Sequence, residues 1–445
     1  MHSGRSGRRF VALMSAMCAL LSIAAMAAAS PALGVPRPAK HAARATPPLP
    51  TQLPPATTTD TIHCPDKLRP PSPVDSSERA APGSTVPQPV PLPPRVIGGP
   101  RMAECGYVIP PGAPALPRKL DFQSWVITDL DSGAVLAARD PHGRERPASI
   151  IKTLLALVVL DNLDPGSTVT GTQADANQEG TRVGIGPGGH YTVNQLLHGL
   201  LMHSGNDIAY ALAMQLGGVR TTVAKMDAMA ARLGAEDTRV ARPSGLDGAG
   251  MSTSAYDMAV IFSAAMEKPL FAQSVKTRTL HFPGYPGKHG KPAKPGYQLS
   301  NDNHLLGSYP GDLGGKTGFT DDALHTYLNA AHRHGHRIGL VMMRGMNHLA
   351  GMYDNAVKLM NYGFTLEAAH AAPVGQVVSA APQAPPTDPP TAGGTSAPST
   401  HPPGSVSAAA AHSPSRTPEL IALLALVAIV VAAAATLLAR RRRTR

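Results

Sequence analysis

Between about Ala115 and His370, apolar residues form β-rich runs in some stretches and amphipathic helical patterns in others. The stretch FQSWVITDLDSGAVLAARD holds two β-rich runs joined by Asp131, Ser132 and Gly133, which is typical of a hairpin. Three later stretches, DLGGKTGFTDD, LHTYLNAAHR and RIGLVMMRGM, also predict strands. We therefore expect strands at both ends of this region.

Helical patterns fill the middle of the same region. The apolar run Leu154 to Leu160 follows Pro147 and predicts a buried helix. TVNQLLHGLLMHSGNDIAYALAMQLG and TTVAKMDAMAARLG predict further helices, each closing on a glycine. Strands that open and close a domain around helices are typical of an α+β fold with an antiparallel sheet, so we predict one such domain over residues 115–370.

Long apolar stretches occur near both ends of the chain. In residues 1–32, three arginines precede an apolar run that closes on small residues, as in a secretory signal peptide. Residues 420–439 are uncharged and long enough to cross a bilayer as one helix. The arginine-rich residues 440–445 place that end in the cytoplasm by the positive-inside rule. We expect a single-pass membrane protein whose folded domain faces the extracytoplasmic side.

Proline-rich segments flank the predicted domain. Residues 33–114 read as an extended spacer or wrapping arm, and residues 371–419 as a flexible stalk. Cys64 and Cys105 are the two cysteines outside the signal segment. Because exported proteins meet an oxidising compartment, we predict that they form one disulfide, with two free thiols as the alternative.

Charge and histidine content argue against two classes of function. The net charge is +11, but arginines of the signal segment and the tail supply eight of those charges. The rest shows no basic cluster interleaved with aromatic residues, so we expect no nucleic-acid binding. HRHGHR brings His332, His334 and His336 close in sequence, yet Gly335 predicts an exposed turn and no carboxylate accompanies them, so no metal site is expected.

Candidate chemistry begins at RPASIIKTLLALVV, where Ser149 precedes Lys152 by one helical turn. A serine hydroxyl is a weak nucleophile until a base takes its proton, and lysine is such a base only when burial or a second cation lowers its pKa. Taken alone, the pair is equally consistent with a helix start, to which Pro147 is well suited.

Two further motifs favour the catalytic interpretation. LMHSGNDIA contains Ser204 and Asn206, and LGGKTGFTDD contains Lys316, Thr317 and Gly318. The three motifs, in this order, resemble those of the serine penicillin-recognising enzymes. The closer resemblance is to the low-molecular-mass D-alanyl-D-alanine carboxypeptidases. The stretches PSGLDGAGMSTSAYDMA and SNDNHLL also resemble the sequences of that family. This resemblance implies an antiparallel sheet with a helical cluster and the catalytic serine at a helix start between them.

The resemblance implies a role for each motif residue in catalysis. Ser149 attacks the carbonyl between two terminal D-alanines to form an acyl-enzyme, with Lys152 as proton acceptor. Ser204 relays a proton to the departing D-alanine. The backbone N–H groups of Ser149 and Phe319 form the oxyanion hole. No cofactor is implied, and β-lactams are implied as covalent inhibitors.

The same resemblance implies the contacts with the substrate, a peptidoglycan stem peptide. Asn206 holds the substrate amide, and Lys316 and Thr317 bind the terminal carboxylate. Gly318 lets the substrate lie close against its strand. The sequence departs from the family pattern at Leu324 and His325, where a Gly-Cys pair is usual, which leaves substrate preference open.

Three alternatives remain at the level of sequence. A class A-like β-lactamase needs a carboxylate that activates the deacylating water, and Glu236 and Glu267 are the candidates. A non-catalytic penicillin- or peptidoglycan-binding module would keep the fold without the activity. A transpeptidase would differ only in using an amine in place of water as the acceptor.

Overall fold

A computed structural model describes residues 57–58, 64–80, 83–287, 293–346 and 349–377, and its elements follow the hydrophobic pattern. The strands are β1 Thr57–Thr58, β2 Cys105–Val108, β3 Phe122–Asp129, β4 Ala134–Arg139, β5 Arg144–Glu145, β6 Thr168–Thr170, β7 His190–Thr192, β8 Thr253–Ser254, β9 Thr279–Phe282, β10 Tyr297–Ser300, β11 Asp312–Thr320, β12 Leu324–Arg333, β13 His336–Gly345 and β14 Gly375–Gln376. The predicted hairpin and the three late strands are confirmed as β3–β4 and β11 to β13.

The helices lie mainly between β5 and β11 in the chain. They are α1 Lys152–Asn162, α2 Gln173–Ala176, α3 Val193–Met202, α4 Asn206–Gln215, α5 Val219–Leu233, α6 Ala255–Met266, α7 Pro269–Lys276 and α8 Leu349–Ala368. Two 3₁₀ helices, Pro100–Ala103 and Ala148–Ile151, precede β2 and α1. Gly234 closes α5 in the left-handed conformation, as its sequence predicted.

An antiparallel sheet in the order β1-β2-β4-β3-β13-β12-β11 forms the centre, with β14 paired to β4. Successive side chains along each strand point to opposite faces of the sheet. On β3, Val126 packs toward the helical cluster, whereas Trp125 and Ile127 pack on the side of α8. Both faces are therefore buried, and the predicted α+β architecture with an antiparallel sheet is confirmed.

The domain extends beyond the boundaries that the proline-rich composition suggested. Strand β2 lies within the predicted arm and pairs with β4, and β14 lies within the predicted stalk and pairs with the same strand. The disulfide Cys64–Cys105 is present and ties residue 64 to β2. Short strands among prolines carry too few residues to show a period, which is why composition obscured them.

The predicted membrane and targeting segments cannot be placed on this fold. Residues 1–32, 420–439 and 440–445 lie outside the described residues. Within the described ranges, no helix has the length and apolar character needed to span a bilayer. The single-pass topology therefore stays a prediction.

Candidate active site

Ser149 sits in a tight turn between β5 and α1. It belongs to the 3₁₀ helix Ala148–Ile151, and Ala148 adopts a left-handed φ of 47°. The hydroxyl of Thr326 on β12 donates to the carbonyl of Pro147 at 2.8 Å. A non-glycine residue holds such a backbone only where its surroundings enforce it, so the sheet fixes the position of the serine.

Lys152 opens α1 and is fully buried one turn after the serine. Its Nζ lies 2.8 Å from Ser149 Oγ and 2.8 Å from Asn206 Oδ1, and it donates a further short bond to the carbonyl of Ser244. The orientation of the Asn206 amide follows from its Nδ2, which donates to the carbonyl of Glu179 at 2.8 Å. Two of the three lysine contacts are therefore to groups that can only accept.

This geometry suits a neutral lysine. A neutral amine has two N–H donors and one lone pair, and the acceptors at Asn206 and Ser244 take both donors. The lone pair then faces the Ser149 hydroxyl. Burial, and next the positive charge of Lys316, hold the pKa of Lys152 well below its usual range, against the opposing effect of Asp207. The pair is thus arranged for proton transfer from serine to lysine.

Edge strand β11 carries the Lys-Thr-Gly motif. Lys316 is buried, and its Nζ donates to the carbonyl of Thr317 at 2.6 Å. Burial lowers the pKa of Lys316 to about 8, although Asp302 opposes the shift. This residue therefore carries a positive charge at neutral pH and can bind a carboxylate.

Gly318 brings β11 close to the serine turn. A Cβ at this position would lie 2.8 Å from the backbone N of Ser149 and 2.4 Å from Thr326 Oγ1. The glycine is thus required by the protein's own packing, in addition to the predicted approach of substrate. It also places the Ser149 amide beside the strand that continues to Phe319. The Phe319 side chain is 54% exposed and lies against the ring of His325, with centroids 4.9 Å apart.

Ser204 and Asn206 flank the junction of α3 and α4. Ser204 has a left-handed φ of 62°, is buried, and its Oγ has no hydrogen-bond partner among the described residues. The amide of Asn206 is engaged at both ends within the protein. Its contact with a substrate amide stays a prediction, because in this structure its carbonyl holds Lys152.

Sequence reasoning missed Ser244. Its contribution is a backbone carbonyl, which carries no residue-type signal, although the surrounding PSGLDG resembles the family's sequence. Gly245 beside it has a φ of +82°, and a Cβ there would lie 2.0 Å from the carbonyl of Ala148. The glycine lets this loop approach the serine turn closely enough to reach Lys152.

The loop that precedes the second motif is fixed against the start of α4 by hydrogen bonds. Backbone N–H groups of Val183, Gly184 and Ile185 donate to the carboxylate of Asp207 at 2.6–3.1 Å. This contact fixes the loop against the start of α4. It shapes the site while offering no group to Ser149.

Neither carboxylate required by a class A-like β-lactamase contacts the serine–lysine pair among the described residues. Glu236 is exposed, and Glu267 forms an ion pair with Arg337 at 3.0 Å. The structure thus offers neither of them as a base for the deacylating water.

The histidine motif lies at the turn between β12 and β13. His334 and Gly335 adopt left-handed φ angles of 52° and 85°, so the predicted turn is confirmed. The expectation that no carboxylate accompanies the histidines is wrong: His336 Nδ1 lies 3.3 Å from Asp129 Oδ2 and 3.5 Å from Glu367 Oε2. These partners come from distant parts of the chain, so sequence proximity did not reveal them.

Comparison with known proteins follows the same motifs. Residues 112–347 match a family described as D-alanyl-D-alanine carboxypeptidase. The chain is 48% identical over 248 residues to D-alanyl-D-alanine carboxypeptidase DacB2 of Mycobacterium tuberculosis, covering 55% of this chain and 82% of that protein. It is 29% identical over 256 residues to D-alanyl-D-alanine carboxypeptidase DacF of Bacillus subtilis, covering 56% and 64%.

Solved structures show the same fold. A D-alanyl-D-alanine carboxypeptidase from Mycobacterium tuberculosis H37Rv superposes with a TM-score of 0.55 at 44% identity, covering 61% of this chain and 99% of that one. The DD-transpeptidase of Streptomyces K15 gives a TM-score of 0.51 at 28% identity, covering 57% and 98%.

Proposed function

The chain belongs to the D-alanyl-D-alanine carboxypeptidases, a family of serine peptidases, and we propose that it removes the terminal D-alanine of peptidoglycan stem pentapeptides through an acyl-enzyme on Ser149. The observation that carries this proposal is the 2.8 Å contact between Lys152 Nζ and Ser149 Oγ. The other two contacts of that amine are to acceptors, so its lone pair is available to the serine.

Acylation begins when Lys152 takes the hydroxyl proton of Ser149. The serine oxygen attacks the carbonyl carbon of the penultimate D-alanine, and the negative charge on the carbonyl oxygen is stabilised by the backbone N–H groups of Ser149 and Phe319. When the C–N bond breaks, Lys152 passes the proton that it took from Ser149 through the Ser204 hydroxyl to the departing amine. The buried Ser204 hydroxyl has no hydrogen-bond partner among the described residues, so it is available to pass this proton.

Deacylation uses the same proton transfers, and water takes the place of serine as the nucleophile that accepts the acyl group. Lys152 takes a proton from the water that attacks the acyl carbon, and the proton returns to Ser149 as the ester bond breaks. The products are the shortened stem and free D-alanine. A β-lactam acylates Ser149 in the same way, but its leaving group stays attached and does not diffuse away.

The terminal carboxylate of the substrate binds the Lys-Thr-Gly segment. The buried Lys316 supplies the positive charge and Thr317 a hydroxyl donor. Because β11 is the edge strand of the central sheet among the described residues, an extended peptide can pair with it. Binding along this edge directs the scissile carbonyl toward the Ser149 turn.

The proposed location is the outer face of a cell membrane. The signal-like residues 1–32 and the apolar residues 420–439 support export and a single anchor. The Cys64–Cys105 disulfide supports an oxidising compartment.

The test compares the full-length wild type with Ser149→Ala on a diacetyl-Lys-D-Ala-D-Ala peptide. We expect free D-alanine from the wild type and none from the variant. Release by both proteins, or by neither, contradicts the proposal. Added amine acceptors and nitrocefin distinguish peptide transfer and β-lactam turnover from hydrolysis of the D-alanyl bond.

A further inference from the structure

Within the proline-rich residues 33–114, the described residues 64–80 and 83–97, from here on called the arm, contact the strand that leads into Ser149. It lies outside the residues that match the family. The guanidinium of Arg144 on β5 donates to the carbonyls of Leu68 and Pro91 at 3.0 Å each, and to that of Val90. Arg144 is 1% exposed and also donates to Asp237 at 3.2 Å. Three carbonyls of the arm therefore surround one buried cation.

A second arginine nearer to the nucleophile is held by the arm through an ion pair. Arg146 Nη2 donates to Glu78 Oε2 at 2.8 Å, its Nε donates to Glu78 Oε1, and its Nη1 donates to the carbonyl of Pro71 at 2.8 Å. The side chains of Arg146 and Glu78 are 3% and 15% exposed. Such a two-point pair fixes direction as well as distance.

The arm also holds the segment that follows Phe319. The buried carboxylate of Asp322 accepts from the backbone N of Val74 at 2.5 Å and from Ser77 Oγ at 3.1 Å. Ser149 follows Arg146 by three residues, and Asp322 follows Phe319 by three. One segment thus contacts the chain on both sides of the predicted oxyanion hole.

We propose that the arm positions the oxyanion hole, and that Glu78 is its positioning residue. This inference rests on the proposed function, in which the N–H groups of Ser149 and Phe319 stabilise the oxyanion. Such donors accelerate the reaction only when neighbouring contacts hold them at the place where charge develops. The segments that match the family supply the donors, and the arm contacts both of the segments that carry them.

Charge around Arg146 explains why Glu78 is the residue to test. Asp322 and Asp247 also lie close enough to interact electrostatically with Arg146. Asp247 accepts from the Thr320 hydroxyl at 2.8 Å, and Thr320 directly follows Phe319. When Glu78 loses its charge, Arg146 is attracted to these two carboxylates instead. The hydrogen bonds of Asp247 to Thr320 and of Asp322 to the arm then compete with the new ion pairs to Arg146. The structural change therefore reaches Thr320, the neighbour of Phe319.

The experiment uses full-length protein and a fluorescent penicillin. Saturation kinetics separate the noncovalent dissociation constant from the first-order acylation rate constant, each expressed per titrated active site. For Glu78→Gln we expect the rate constant to fall by about 10- to 100-fold, the range that a small misplacement of reacting groups produces. The dissociation constant and the number of titratable sites should stay close to the wild-type values.

Three further variants complete the design. Arg79→Gln is the matched control, because the exposed Arg79 side chain has no hydrogen bond or ion pair with the described residues. It should acylate like the wild type. Glu78→Asp should recover part of the lost rate, since it restores the charge. Asp322→Asn tests the other contact and should slow acylation in the same way, so the inference does not depend on one variant folding.

Two results would overturn the inference. One is an acylation rate constant for both Glu78→Gln and Asp322→Asn that equals that of Arg79→Gln. The other is fewer titratable sites with an unchanged rate per site, which is the signature of a merely structural contact. Failure of the wild type to acylate at Ser149, measured against Ser149→Ala, would instead remove the proposed function itself.

Discussion

Lys152 Nζ lies 2.8 Å from Ser149 Oγ, and the lysine side chain is also held by two groups far away in the sequence. The amine has two other partners, Asn206 Oδ1 and the Ser244 carbonyl, and neither can donate to it. Because a neutral amine satisfies this arrangement with its lone pair on the serine, the contact defines the direction of proton transfer. The first two predictions follow from it.

Replacing Lys152 by arginine should abolish the base while keeping a cation. A guanidinium stays protonated at all relevant pH values, so it cannot take the serine proton. We expect the acylation rate to fall by about 100- to 10,000-fold, the range of general-base contributions. Intact-protein mass spectrometry after incubation with a penicillin measures it. Lys225→Arg is the control, because this half-buried lysine of α5 donates to Asn162 Oδ1 at 2.8 Å; equal acylation of the two variants would contradict the role of Lys152.

Replacing Asn206 by aspartate should shift the pH profile. A carboxylate 2.8 Å from the amine favours the ammonium form and raises the pKa of Lys152. Since the base must be deprotonated to act, the acid limb of kcat/KM should move to higher pH. The exposed Asn162→Asp serves as control. An acid limb that stays in place would show that Asn206 does not set the protonation of the lysine.

Substrate affinity should weaken at alkaline pH. Lys316 has a pKa of about 8, lowered by burial. It is protonated below that value and neutral above it, so its attraction for the terminal carboxylate is lost as pH rises through about 8. We expect KM for the peptide to increase there, before kcat changes. A constant KM across this range would exclude Lys316 as the carboxylate-binding cation.

Substituting Gly318 by alanine should slow acylation. The new Cβ would lie 2.8 Å from the Ser149 amide and 2.4 Å from Thr326 Oγ1, so the turn and the strand must separate. We expect a loss of about 100-fold in the acylation rate if one oxyanion donor is displaced. Stopped-flow acylation measures the change. Gly166→Ala, where the Cβ has an ordinary 3.4 Å contact, should behave like the wild type.

Removing the disulfide should lower stability. Cys64 and Cys105 are 41 residues apart, and closing a loop of that size contributes about 4 kcal/mol to the free energy of unfolding in the chain-entropy estimate. The double variant Cys64→Ser, Cys105→Ser should therefore unfold at lower urea concentration. An unchanged midpoint would indicate that the arm is held by its other contacts alone.

Much of the central sheet could be predicted because its long strands are β-rich, mostly apolar runs. On β13, Leu340 and Val341 face opposite sides of the sheet, and both faces are covered. The catalytic pair was also accessible, since Ser149 and Lys152 are one helical turn apart. By contrast, β2 and β14 sit among prolines and are too short to show a period, so composition assigned them to the proline-rich residues 33–114 and 371–419.

The amino-acid sequence by itself determined the fold class and the three motifs, and it predicted the disulfide with two free thiols as the alternative. Each depends on residue type or on spacing within one segment. Only the tertiary structure decided that Ser244 contributes a carbonyl to Lys152, that Gly318 is needed against Ser149, and that Glu78 binds Arg146. These contacts join distant segments, and two of them involve backbone atoms. Backbone atoms are the same in every residue, so only folding makes their positions specific.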